Sequence, residues 1–262
     1  MLRLNDTSRE KPVSEIRLRG RSAGGGGTTA DIVEFARERL RFVPDAIQEK
    51  VLRTESKRVL LNCTRQWGKS VIEALKAVHR AYTAPRSLVL VAGPAERQSG
   101  FIVTYVEGFL AELGIKKRGD GKNPLSVVLP NGSRIVGLPG KAQTIRGFSN
   151  ISLMLIDEAA QTPDVLYKTM RPMLATSGGD LWLMSTPVGR RGFFYEEWMS
   201  PAKDWHRISV KATECPRIPK EFLEEERRKL GPQWFRQEYL CEFRDETVSL
   251  FPRVVDRAID AG

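Results

Sequence analysis

The chain has 262 residues, 41% of them hydrophobic and 28% charged, which suits a globular chain holding one large domain or a domain with a subdomain. No stretch approaches the ~18 apolar residues of a membrane span, and Met1-Leu2-Arg3-Leu4-Asn5-Asp6 lacks the apolar core of a signal peptide. Lys and Arg number 42 against 32 Asp and Glu; the net +10 fits a polyanionic partner such as a nucleic acid, but its spread along the chain fits plain solubility too.

In chain order, residues 1–29 are polar, basic and glycine-rich and read as a flexible leader. Asp31 is placed to cap a helix over 32–41, with Ile32, Phe35, Ala36 and Leu40 on one face. Pro44 opens a second short helix from Asp45 to Leu52. A strand is predicted over 58–62, then a loop, then a helix to Ala81. Residues 87–92 form a second core strand, and a helix over 95–113 follows. The runs 125–129 and 133–138 flank Pro130-Asn131-Gly132, a hairpin signal. Residues 152–156 are a buried strand, and 164–174 look helical although Pro172 interrupts them. A further strand covers 180–185; a helix runs from Pro219 to Leu230, stops at Gly231, and a short one covers 232–240. Cys63, Cys215 and Cys241 lack metal-ligand spacing and read as reduced thiols of a cytoplasmic protein. His79 and His206 are isolated and read as ordinary helix or surface residues.

Strands alternating with helices predict an α/β fold: a RecA-like phosphate-loop core with a mostly parallel sheet flanked by helices. The N-terminal helices, the 125–138 hairpin and a C-terminal appendage decorate it. The chemistry concentrates at two strand ends. Cys63-Thr64-Arg65-Gln66-Trp67-Gly68-Lys69-Ser70 lies between a strand and a helix, as in G-x-x-x-x-G-K-[ST], with Cys63 in the first glycine's place. Backbone N–H groups of such a loop face phosphates, Lys69 reaches the β- and γ-phosphates, and the Ser70 hydroxyl suits Mg²⁺. The apolar run Leu153-Met154-Leu155-Ile156 ends in Asp157-Glu158, where open α/β sheets bind ligands. Asp157 is the candidate Mg²⁺ ligand, and Glu158 the base that orients and deprotonates the attacking water.

With those residues placed, the chain resembles the ATPase domain of the large terminase subunit of tailed bacteriophages, a family that uses ATP to package DNA into a procapsid. The resemblance rests on Arg65-Gln66-Trp67-Gly68-Lys69-Ser70, on Thr144-Ile145-Arg146-Gly147-Phe148-Ser149 before the acidic strand, and on Met184-Ser185-Thr186-Pro187 after it. It covers about residues 40–250 and implies ATP and Mg²⁺, double-stranded DNA, a homo-oligomeric ring on a phage portal, a small terminase subunit, and the cytoplasm of a bacterial host. It implies an ATPase domain over 30–250 and a tail or linker over 251–262. The family's usual C-terminal nuclease domain is not expected within this chain, so no cleavage activity is assigned to it.

The resemblance also suggests roles. Arg65 would engage the γ-phosphate in cis, with a salt bridge to a nearby carboxylate as the plainer reading. Arg146 would act in trans on the neighbouring subunit's γ-phosphate, against a DNA-facing or structural arginine. Gln48 would read the adenine edge, against an ordinary helix-surface glutamine. Ser185 and Thr186 would sense the γ-phosphate and couple hydrolysis to motion, against simple capping of a strand end. Two other classes stay open: a superfamily 2 helicase-like ATPase, which needs a second RecA-like domain, and a non-hydrolysing DNA-binding or assembly module.

Overall fold

The computed structural model describes residues 31–121, 123–138, 140, 145 and 147–244. The leader over 1–29, the tail over 251–262, Thr144 and Arg146 lie outside the described residues. Helices α1 (Ile32–Arg39) and α2 (Ala46–Leu52) lead into β1 (Arg58–Cys63), α3 (Lys69–Thr83), β2 (Leu88–Ala92) and α4 (Glu96–Glu112). The hairpin β3 (Ser126–Val128) and β4 (Arg134–Gly137) follows, then β5 (Ile151–Asp157), α5 (Asp164–Met170), β6 (Asp180–Ser185), α6 (Gly192–Met199), β7 (His206–Val210) and α7 (Lys220–Leu240).

The seven strands form one sheet in the order β3-β4-β2-β5-β6-β1-β7, parallel except for the β3–β4 hairpin. The predicted hairpin is present, and β4 extends the main sheet by pairing parallel to β2. Strands buried on both faces explain the continuous apolar runs of β1, β2 and β5. Val59, Leu61, Val89, Val91, Leu153 and Leu155 pack beneath α1–α4. Leu60, Leu90, Met154, Ile156, Leu181 and Leu183 face the other layer, where Leu166, Tyr167 and Met170 of α5 and Phe193 and Phe194 of α6 cover them.

Local signals hold where they are strong. Asp31 accepts from the N–H groups of Val33 and Glu34, and Asp45 from those of Ile47 and Gln48, so both short helices start where a cap stands. α5 ends at Met170 and a 3-10 turn, Arg171–Leu174, contains Pro172. Gly231 adopts φ 74°, ψ 162° inside α7 and divides it where the sequence predicts a stop.

Two elements are not signalled. Strand β7 reads His206-Arg207-Ile208-Ser209-Val210, polar at most positions because it is the outer edge of the sheet beside β1. α6 has Gly192 at its start and a short aromatic run, Phe193-Phe194-Tyr195, without clear helical periodicity.

The sheet leaves one tight contact at its lower end. A Cβ on Gly179, just before β6, would lie 2.0 Å from the Ile151 carbonyl oxygen at the start of β5. Gly179→Ala must therefore part the two strands at the site's own supports. It is expected to cost about 1–3 kcal/mol, as overpacking does, and to lower the thermal midpoint by several degrees. A melt indistinguishable from the parent's would contradict that contact.

Candidate active site

The phosphate loop is built by alternating constraints. Cys63 ends β1 fully buried and paired with Val210 of β7, so a strand side chain occupies the place of the motif's first glycine. Burial pushes its thiol pKa well up, which suits a packing residue. Gln66 (φ 61°) and Gly68 (φ 96°) are left-handed, and Trp67 between them sinks its indole completely into the core. A Cβ on Gly68 would stand 3.0 Å from Gln48 Nε2. Gly68 is the N-cap of α3 and no side chain caps that helix. Among the described residues, the N–H groups of Gly68, Lys69 and Ser70 have no hydrogen-bond acceptor. A row of unpaired N–H groups at a helix N-terminus is an anion site in waiting.

β6 separates β1 from β5, and this interval brings Lys69 to the end of β5. Its ammonium bonds Asp157 Oδ1 and reaches Glu158 Oε1 at 2.7 Å. Burial pulls the Lys69 pKa down; Asp157, Glu73 and Glu158 outweigh it and hold the lysine above its ordinary value, charged throughout. Glu158 sits at φ 47°, left-handed for a non-glycine residue, a strained conformation that needs support from its surroundings. Its N–H donates to Asp157 Oδ1 at 2.8 Å, and its carbonyl accepts from Thr162 Oγ1 at 3.2 Å.

Ser185 and Thr186, at the end of the intervening β6, are buried beside this pair. Ser185 Oγ accepts from the Ala160 N–H at 3.1 Å, donates to the Thr186 carbonyl at 2.8 Å, and lies 3.5 Å from Glu158 Oε2. The hydroxyl thus touches both the acidic turn and the strand that borders β1.

The other side of the loop is held by the C-terminal end of α7. Thr64 donates its hydroxyl to the Glu238 carbonyl (2.9 Å) and its N–H to the Val210 carbonyl (2.9 Å). Asn62 Nδ2 donates to the Cys241 carbonyl at 2.8 Å, and the Cys241 thiol to the Val210 carbonyl at 3.1 Å. Arg65 is exposed and bonds the Glu238 carboxylate, the plainer of its two readings in this state. Gln48 is buried, not a surface residue: its Oε1 accepts from the Asp45 N–H (3.0 Å) and its Nε2 donates to the Trp67 carbonyl (3.1 Å). Gln66 is exposed on the loop, and Ser70 is half-buried in the first turn of α3.

The profile of the family described as "Terminase large subunit, T4likevirus-type, N-terminal" matches residues 60–254. The chain belongs to this family. The terminase large subunit of Thermus virus P23-45 is 24% identical over 250 residues, covering 82% of this chain and 51% of that protein. That of Escherichia phage T5 is 26% identical over 189 residues, covering 69% and 42%. The chain thus spans about half the length of the curated relatives it matches. The large terminase ATPase domain of Thermus phage P74-26 superposes with a TM-score of 0.69 at 22% identity, over 80% of this chain and 97% of that one. The HK97 large terminase gives 0.67 at 13% identity, over 81% and 55%. The fold is therefore that of large terminase ATPase domains, a mostly parallel RecA-like sheet flanked by helices, as its strand pattern predicts.

Against this terminase frame, sequence reasoning missed three residues. Glu73 follows Lys69 by four positions on α3, so helical spacing alone put it on the site's face. It is fully buried, no donor reaches its oxygens, and burial, followed by the charge of the neighbouring Asp157, pushes its pKa well up. Glu238 and Arg217 come from the chain's far end, and no local pattern marks them.

Glu73 gives the free protein a pH dependence with a definite sign. Its folded pKa lies above its unfolded value, so between about pH 4.3 and the folded pKa the native state holds a proton that the unfolded chain has lost. Stability attributable to Glu73 therefore falls as pH rises, by at most about 1.4 kcal/mol per pH unit. Glu73→Gln should lose less stability than the parent between pH 5 and pH 8 in urea denaturation without nucleotide or Mg²⁺. Parallel curves for the two proteins would show that Glu73 is ionised in the folded state.

Proposed function

We propose that this chain is the ATP-hydrolysing motor part of a large terminase, which drives double-stranded viral DNA into a procapsid. The observation that carries this reading is Lys69 held on Asp157 and Glu158 beside an unpaired row of backbone N–H groups. The large terminase of bacteriophage D6E has solved structures in complex with ADP and with ATP-gamma-S, at 14% identity to this chain and TM-scores of 0.63 and 0.62, which supports a nucleotide as the anion.

The phosphates lie on the N–H groups of Gly68, Lys69 and Ser70, and Lys69 follows them, leaving the carboxylates. The residues present fit Mg²⁺: Asp157 and Ser70 are hard oxygen donors, and the buried carboxyl of Glu73 stands behind them. When bound, the ion neutralises charge on the β- and γ-phosphate oxygens. Glu158 Oε1, released by Lys69, accepts the proton of the attacking water. Ser185, touching Glu158 and the Thr186 carbonyl, passes the change at the γ-phosphate to β6. Arg65 reaches the γ-phosphate only after leaving Glu238. Gln48, with one Nε2 hydrogen committed to the loop, keeps the other for the adenine edge. Arg146 completes the neighbouring subunit's site in a ring on the portal, with the small terminase subunit delivering DNA in the host cytoplasm.

Glu158→Gln should bind Mg-ATP about as tightly as the parent and hydrolyse it at least 100-fold more slowly, within the usual contribution of a general base. Lys69→Ala should lose binding itself. Unchanged turnover in Glu158→Gln would remove Glu158 as the base.

The trans role predicts complementation. Arg146→Ala and Glu158→Gln proteins, each nearly inactive alone, should regain part of the parent's ATPase rate when mixed under conditions in which they co-assemble. Co-assembly without recovery would place Arg146 in its own subunit's site or outside catalysis.

A further inference from the structure

Arg217 lies between β7 and α7, 150 residues from the phosphate loop, yet it meets the loop at its centre. Its Nη2 donates to the carbonyl oxygen of Trp67, and its Nη1 pairs with Asp45 Oδ2 at 2.5 Å. Gln48 Nε2 donates to the same Trp67 carbonyl at 3.1 Å, and Gln48 Oε1 accepts from the Asp45 N–H at 3.0 Å. The four groups close a ring: Asp45, Arg217, the Trp67 carbonyl and Gln48.

The consequence follows from the planar trans peptide. In the unit joining Trp67 to Gly68, the C=O and the N–H point in opposite directions. Two donors hold the carbonyl toward α2 and the 215–218 segment, so the Gly68 N–H is turned away from both. That N–H has no acceptor among the described residues. A free peptide at a left-handed glycine could rotate and lose this aim; two donors on one carbonyl oppose that rotation. A guanidinium suits the task because its planar fork spans two acceptors at fixed separation. Asp45 meanwhile neutralises its charge, which argues against Arg217 as a direct phosphate ligand.

We propose that Arg217 is a positioning residue for nucleotide binding: with Gln48 it fixes the Trp67–Gly68 peptide so that the Gly68 N–H faces the nucleotide's phosphates. The proposal rests on the reading of this loop as a nucleotide phosphate site. It makes phosphate affinity depend on the segment that leads into α7, independently of the base.

The test compares Mg-ATP with inorganic tripolyphosphate, which has the phosphates and no base. Arg217→Ala should weaken both by the same factor, about 10-fold for one lost charge-assisted hydrogen bond. The KM for ATP should rise in step while kcat changes by less than about 3-fold, because Lys69 and Glu158 are untouched. Arg217→Lys, which cannot bridge both acceptors, should fall between the two. Should the alanine variant fail to fold, Arg217→Gln keeps one donor for the carbonyl and carries the same expectation at smaller size. Loss of ATP affinity with tripolyphosphate affinity intact would make Arg217 a base contact and overturn the proposal, as would unchanged affinity for both. A parent chain that binds neither ligand would instead remove the nucleotide reading, and this proposal with it.

Discussion

A single ammonium group organises the centre of this molecule. Lys69 opens α3 at the end of β1, and its partners Asp157 and Glu158 end β5, two strands away across β6. Three carboxyls, those of Asp157, Glu158 and Glu73, converge on that one cation in a mostly buried place. Leaving charges buried without partners costs several kcal/mol, so the lysine and the acidic turn constrain each other. Nucleotide binding, in the reading proposed above, is an exchange of partners: the ammonium moves to phosphate, and the carboxylates turn to the metal and the water. In that reading the same cluster is a structural clamp in the free state and a catalytic site in the bound one.

The loop that presents Lys69 is held from both sides, which decides what it can do. Trp67 anchors it into the core, and Gln48 and Arg217 tie the Trp67 carbonyl from one side. From the other, the end of α7 binds Asn62, Thr64 and Arg65 through Cys241 and Glu238. The loop's carbonyl and side-chain groups at these points are spent on the protein, and its N–H groups at Gly68, Lys69 and Ser70 are left for a ligand. Both restraints include residues from the C-terminal quarter of the chain. Any shift of α7 therefore changes the loop directly, through hydrogen bonds and one ion pair rather than through the sheet.

By itself the sequence determined what depends on neighbours in the chain. Continuous apolar runs placed β1, β2, β5 and β6, because doubly buried strands admit no polar alternation. Asp31 and Asp45 marked the starts of α1 and α2, and Gly231 marked the break in α7, because caps and left-handed turns are local chemistry. Gly68-Lys69-Ser70 and Asp157-Glu158 were legible as the two halves of one site, since strand ends in a parallel sheet point the same way. Only the tertiary structure decided who satisfies whom. It gave Gln48 to the loop's backbone, Arg65 to Glu238, and Arg217 to the Trp67 carbonyl, pairings separated by 19, 173 and 150 positions. It also supplied β7, whose half-polar pattern carries no signal because an edge strand needs burial on little of its surface. Hydrogen bonds of that span leave no periodicity to read; they exist because folding brings buried donors and acceptors together and leaves them no water to turn to.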